Sequence, residues 1–241
     1  ENVVGNPFFS PDGQWIAFWQ NGELKKVGVN GGTPVKLCDL AMPPSGASWN
    51  RAGSILFGLG NAGIWRVSDQ GGTPERVIAV DEKQELASGP HLLPDGRTIL
   101  FSLLMPNANA NAQGWDTADI VAESLDTHQR KVLVRGGRDA TYVPTGHLIY
   151  ARRGVLFANA FDVNRLAVNG GPVPLVEGVR DAGVINAATQ FDAAADGTLV
   201  YVPVEAGAEA QRALVWVTRT GVEQAIAAPQ RAYDFPRISP D

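Results

Sequence analysis

Three glycines, Gly58, Gly60 and Gly63, follow an apolar strand in the spacing GxGxxG, the pattern of a loop that cradles phosphate with backbone N–H groups. A dinucleotide loop must open a helix whose N-terminus meets the phosphates, yet the residues that follow, Ile64-Trp65-Arg66-Val67, form another strand-like run. A kinase glycine loop would need a V-A-I-K-like lysine, H-R-D and D-F-G, and Arg138-Asp139 is only a fragment of the second. The glycines are therefore read as a hairpin turn. His91, His128 and His147 lie far apart with no i, i+4 pair, and Cys38, the one cysteine, completes no metal-ligand set. Asp12, Asp95, Asp196 and Asp241 suggest calcium only until their shared turn position is noticed; hydrogen bonds to their own turns account for them. There is no G-x-S-x-G elbow and no evident carboxylate pair for glycoside chemistry. No catalytic residue, metal or cofactor is assigned.

What positions these residues is a repeated phrase: FFSPDGQWIAF, SWNRAGSILF, HLLPDGRTILF, TYVPTGHLIYA and FDAAADGTLVYV, with ISPD begun again at the last residue. Its turn glycines, Gly13, Gly53, Gly96, Gly146 and Gly197, recur every 40 to 51 residues. In the first copy Pro7-Phe8-Phe9 is a strand, Ser10-Pro11-Asp12-Gly13 a tight turn and Trp15 to Phe18 a second strand. Asn21-Gly22 makes the next hairpin, Leu24 to Val29 a third strand, and Asn30-Gly31-Gly32 turns into a fourth from Pro34 to Leu37. In the fourth copy Asn169-Gly170-Gly171 takes the place of that last turn. A period of this length built from short strands predicts an all-β fold, a β-propeller of four-stranded antiparallel blades, because one small sheet has two apolar faces that only stacked neighbours can cover. About five blades are expected in one domain over 1–241, as units 5–37, 46–77, 89–134, 140–176 and 188–226 with a further blade begun at 234–241.

With the first strand innermost, PDG-like and NGG-like turns share one face of the ring. Two-to-three hairpins and blade crossovers share the other, and length varies on that second face, at 38–46, 78–89, 105–118, 177–188 and 227–234. Variable loops on a rigid scaffold are where binding concentrates. Arg138-Asp139 and Arg180-Asp181 each precede an inner strand, as do Asn6 and Asp234, so all should ring the channel mouth, joined by Arg152-Arg153 from a hairpin. Solvated rim charge is one reading and a pocket for a polar ligand or peptide the other. His91, on an inner strand, is placed to reach the channel. Trp15, Trp19, Trp49, Trp65 and Trp216 fall in or beside strands and are expected to fill space between blades, whereas Trp115 sits in the polar insert 105–118, mobile by composition, and is singled out as a partner contact. Propellers also assemble enzyme sites from distant blades, so the list is one of binding candidates.

The repeats resemble TolB-type, WD-repeat-like propellers over nearly the whole chain. More specifically, GASW, GIWRV, GVLFANAFDVNRL, GGPVPLVEGV, DGTLVYVP, ALVWVTRTG and YDFPRISPD, spanning 46–241, resemble the propeller region of bacterial serine/threonine protein kinases. That resemblance implies a non-catalytic sensor or interaction segment, periplasmic or otherwise extracytoplasmic, downstream of a kinase domain. It also implies an intact ring of six or more blades, with this sequence an excerpt of it. Two other contexts carry such propellers: prolyl-oligopeptidase-like hydrolases, where the ring gates substrate, and TolB-like periplasmic assembly proteins.

The chain of 241 residues carries a net charge of -5, which leaves counterion release no basic surface to act on and argues against nucleic acid. No apolar run approaches the roughly 20 residues needed to span a bilayer, so direct membrane insertion of this segment is not expected. The expected partner is a protein or a small polar ligand at the variable-loop face.

Overall fold

The structure is a computed structural model that describes residues 4–106, 114–181, 188–204, 214–218, 221–228 and 237–238. Strands follow one another in chain order and pair antiparallel with their sequence neighbours in five four-stranded sheets, the blades of a propeller. Blade 1 holds β1 (Val4–Phe9), β2 (Trp15–Gln20), β3 (Glu23–Gly28) and β4 (Val35–Asp39). Blade 2 holds β5 (Ala47–Asn50), β6 (Ser54–Gly58), β7 (Ile64–Ser68) and β8 (Glu75–Ile78). Blade 3 holds β9 (Leu86–Leu92), β10 (Thr98–Leu104), β11 (Asp119–Ser124) and β12 (Arg130–Arg135). Blade 4 holds β13 (Arg138–Val143), β14 (His147–Arg152), β15 (Val155–Asp162) and β16 (Ala167–Glu177). Blade 5 holds β17 (Phe191–Ala193), β18 (Leu199–Tyr201), β19 (Val215–Val217) and β20 (Glu223–Ala225).

The second strand of each blade explains the ring. Successive side chains of a strand point to opposite faces, so a strand apolar at every position must be covered on both. In β6, Ile55 and Phe57 pack against Phe8, Leu24 and Leu37 of blade 1, while Leu56 packs against Ile99 and Phe101 of blade 3. In β10, Leu100 turns the other way, toward Leu148 and Tyr150 of blade 4. In β14, Ile149 and Ala151 face Phe191, Leu199 and Tyr201 of blade 5. Each interface is thus one layer of large side chains drawn alternately from two blades. Each fully buried residue of this kind contributes roughly 1.5–3 kcal/mol, and a one-residue slip would exchange the faces.

The turns follow their sequence chemistry. Asp12 accepts from Gln14 N and Ser10 Oγ, Asp95 from Arg97 N, Thr98 N and Thr98 Oγ1, and Asp196 from Thr198 N. In blade 2 Asn50 Oδ1 takes the same place, accepting from Ala52 N and Ser54 N. Blade 4 departs from the expected pattern. Asn169-Gly170-Gly171 is not its last turn but lies inside β16, at a register shift opposite Ala158 and Ala160. The turn falls earlier, where Asp162 accepts from Asn164 N and Arg165 N. Gly170, at φ 72°, serves a bulge here as readily as it would a turn, and its carbonyl accepts from Asn159 Nδ2 at 3.4 Å. Among the described residues, no helix is long and apolar enough to cross a membrane.

Candidate functional site

The inner strands meet through one recurring backbone feature. Asn6 (φ 51°), Gly46 (77°), Gly89 (61°) and Asp139 (52°) occupy the same place in blades 1 to 4, seven residues before the turn glycine, and all are left-handed. Asparagine, aspartate and glycine are the residues that tolerate this conformation. The kink brings each inner strand against the next blade. Asn6 Nδ2 donates to Pro44 O at 2.5 Å, Gly89 N to Ser45 O at 2.9 Å, Asp139 N to Ser102 Oγ at 2.9 Å, and Thr189 N to Asp139 Oδ2 at 2.7 Å. Ile238 N continues the series by donating to Asp192 Oδ2 at 2.9 Å. The side chains of Asn6 and Asp139, selected from the sequence as rim candidates, therefore join blades around the hub.

Beside this ring lies a charged cluster. Arg138, the first residue of β13, is 2% exposed, and its Nη2 donates to Asp181 Oδ1. Its Nε stands 3.6 Å from Asp116 Oδ1, within ion-pair range but beyond a hydrogen bond, and this N–H has no hydrogen-bond partner among the described residues. The same Asp116 oxygen accepts from Arg153 N at 2.9 Å, with Arg153 at φ 53°. Asp116 thus ties the insert of blade 3 to the hairpin of blade 4, and Arg138 ties both to the crossover into blade 5. Asp181 is the open member, its side chain 45% exposed.

A second group is centred on Arg237. His91 of β9 is half-buried, and burial together with the Arg237 cation pushes its imidazole down to about 4. Burial raises the Asp139 and Asp192 carboxyls, and Arg237 opposes the rise in both. The fold therefore favours neutral His91. The unfolded chain takes up the proton more readily, so this contribution is full above an ordinary imidazole value of 6.5 and is lost as pH falls toward about 4. Asp139 and Asp192 run the other way, their contribution being lost as pH rises through their raised values. Relative to His91→Gln, the wild-type chain is expected to lose at most about 3 kcal/mol between about pH 7 and about pH 4.5, read from urea midpoints. Parallel pH profiles for the two proteins would contradict the assignment.

The remaining candidates separate. Arg152 stacks on the Phe157 ring at 4.9 Å. Arg180 is half-buried, its main chain paired with Val202 and Gln190. Trp115 requires a correction: it lies in a short 3-10 helix, Gly114–Thr117, and is only 6% exposed, packed with Leu86, Leu104 and Ala118. Burial of so large an indole anchors the described end of the insert to the blade, where composition suggests mobility. Asp234 lies outside the described residues. The GxGxxG glycines form the expected hairpin, with Gly63 N donating to Gly60 O at 3.1 Å and β7 following directly.

Sequence reasoning missed Asp116, Asp192 and Arg237. For the last two a signal existed: His91, Asp192 and Arg237 each stand four residues before a turn aspartate, Asp95, Asp196 and Asp241. Asp116 lies in an insert with no counterpart in the other repeats, so the repeat could not mark it.

No protein-family model matches the sequence, and no curated protein matches it either. Solved structures do. Regucalcin of Agrobacterium tumefaciens, a calcium-binding protein, is 12% identical, with a TM-score of 0.64 over 95% of this chain and 76% of that one. A structure assigned to TolB of the same organism is 15% identical, with a TM-score of 0.64 over 93% and 80%. A puromycin-hydrolyzing peptidase of Mycobacterium tuberculosis is 14% identical, with a TM-score of 0.59 over 95% of this chain but 47% of its own. What they share with this chain is the propeller fold. At these identities the blades are alike and the side chains of the hub are not carried over.

Proposed function

We propose that the chain is a non-catalytic binding propeller whose partner, a protein segment or a small polar ligand, docks on the variable-loop face where blades 4 and 5 adjoin. The observation that carries this reading is Arg138: a buried guanidinium with one N–H that no described residue fills, held between Asp116 and the half-exposed Asp181. A fixed donor of that kind costs little to order and favours an acceptor brought by a ligand. The wider context is the extracytoplasmic sensor segment of a bacterial serine/threonine kinase. It is supported by the run of phrases from GASW to YDFPRISPD. A substrate-gating ring of a hydrolase is the second reading. It is favoured by the likeness to a peptidase of which this chain spans about half.

Immobilised wild-type chain is expected to retain a species from a periplasmic extract of the source bacterium that Arg180→Ala and Arg138→Lys lose. Equal retention by all three proteins, or none by the wild type, would count against the site. Kinase motifs in the reading frame upstream test the context separately; a G-x-S-x-G serine downstream would favour the hydrolase.

A further inference from the structure

The opposite face of the ring holds a cleft that neither the repeat pattern nor the hub accounts for. It lies between blades 1 and 2, has a volume of about 460 Å³, and is lined by Trp15, Trp49, Lys26, Arg51, Asp12 and Asp69 among others. Its size is that of a small-molecule site. Trp49 packs against the core between blades 1 and 2, as expected, and both it and Trp15 remain half-buried at the cleft wall.

Lys26 sets the chemistry. It is 9% exposed, and Nζ lies 4.7 Å from the centre of the Trp15 ring and 5.7 Å from that of Trp49. One of its three protons goes to Asp69 O at 2.6 Å. No described carboxylate lies within ion-pair distance of it, since the Asp69 side chain is held by Trp49 Nε1 at 3.3 Å and Gln70 Nε2 at 2.9 Å, and Asp12 by its own turn. A buried ammonium without a counter-ion is costly unless something else supplies the negative charge. Arg51 adds a second, exposed cation at the lip.

We propose that this cleft binds a small carboxylate that carries a flat ring: the carboxylate takes the two remaining Lys26 protons and the ring lies along Trp15 and Trp49. A phosphate dianion fits less well. It would need a fan of N–H donors, and it would meet Asp12 and Asp69 across the cleft. A monoanion with an apolar face carries half that charge past the same two carboxylates and gains the stacking. The site is independent of the mouth at blades 4 and 5, so either can fail alone.

The test is titration of the intact chain with benzoate, followed by tryptophan fluorescence and by the Trp49 indole N–H resonance. Benzamide serves as the neutral isostere and inorganic phosphate as an anion without a ring. Saturable quenching is expected in the millimolar range usual for so small a ligand. Benzamide is expected to bind at least about tenfold more weakly, a charged hydrogen bond being lost. Lys26→Met should abolish the response while its circular dichroism and melting stay native-like; Lys26→Arg, which keeps charge and donors, should retain part of it and decides the matter if the methionine variant does not fold. Absence of a saturable response, equal binding of benzamide, stronger competition by phosphate, or full binding by Lys26→Met would each overturn the proposal.

Discussion

Replacing Arg138 with alanine is expected to destabilise the chain by about 3–5 kcal/mol, the cost of stranding the partners of a buried ion pair. The guanidinium side chain is 3% exposed and stands between Asp181 and Asp116. Without it, Asp181 can turn to water, but Asp116, only 10% exposed, is left as an anion whose remaining partner among the described residues is the Arg153 amide. Because several elements converge there, the loss should be felt in blade 3, blade 4 and the crossover together. Urea unfolding provides the measure, and a chain of this size should melt lower by roughly 2–4 °C for each kcal/mol. Pairing Arg138→Met with Asp116→Asn removes both charges and should recover much of the deficit. If the double variant were no more stable than Arg138→Met, the cluster would not be the energetic unit described.

Gly46→Ala is expected to cost about 3–4 kcal/mol. Gly46 sits at φ 77°, where a β-carbon alone costs roughly 1–2 kcal/mol, and that carbon would stand 2.7 Å from Gly89 Cα and 2.8 Å from Gly89 N. Those atoms are backbone of the neighbouring inner strand and cannot rotate away, so relief requires moving blade 3 off blade 2. Gly22→Ala separates the two causes. Its φ is 79°, nearly the same, but its β-carbon would meet nothing within 4 Å, so only the conformational part, about 1 kcal/mol, should appear. Equal losses at the two positions would show that the inner strands do not depend on that close approach.

The blades were legible because their determinants are local. Ile55-Leu56-Phe57, Ile99-Leu100-Phe101 and Leu148-Ile149-Tyr150 are apolar at every position, which only a strand covered on both sides can use, and the turn residues beside them set the length of each hairpin. Local signals also set the limits. Asn169-Gly170-Gly171 has the composition of a turn, and nothing in it distinguishes a turn from a bulge; the longer β15–β16 ladder decides. Trp115 sits in a polar stretch, and its burial depends on Leu86 and Leu104, which the chain reaches only after folding.

The candidate site was legible in part. Arg138 and Asp181 were marked by their place before inner strands, and they do pair. Nothing in the sequence marks Lys26; only the crossing of Trp15 from its own blade with Trp49 from the next gives it a buried setting. Contacts between blades join residues about 40 to 50 positions apart, a distance at which a repeat shows equivalence but not which equivalent side chains touch.

Throughout, blades are taken to be stable only in each other's company, and the site to exist only where they meet. The most direct check is far-ultraviolet circular dichroism of the isolated second blade, a peptide of residues 46–78. With Ile55 and Phe57 deprived of blade 1, and Leu56 and Ile64 of blade 3, the peptide should show a disordered spectrum and no cooperative melt. A β-sheet spectrum with a sharp thermal transition would contradict the account.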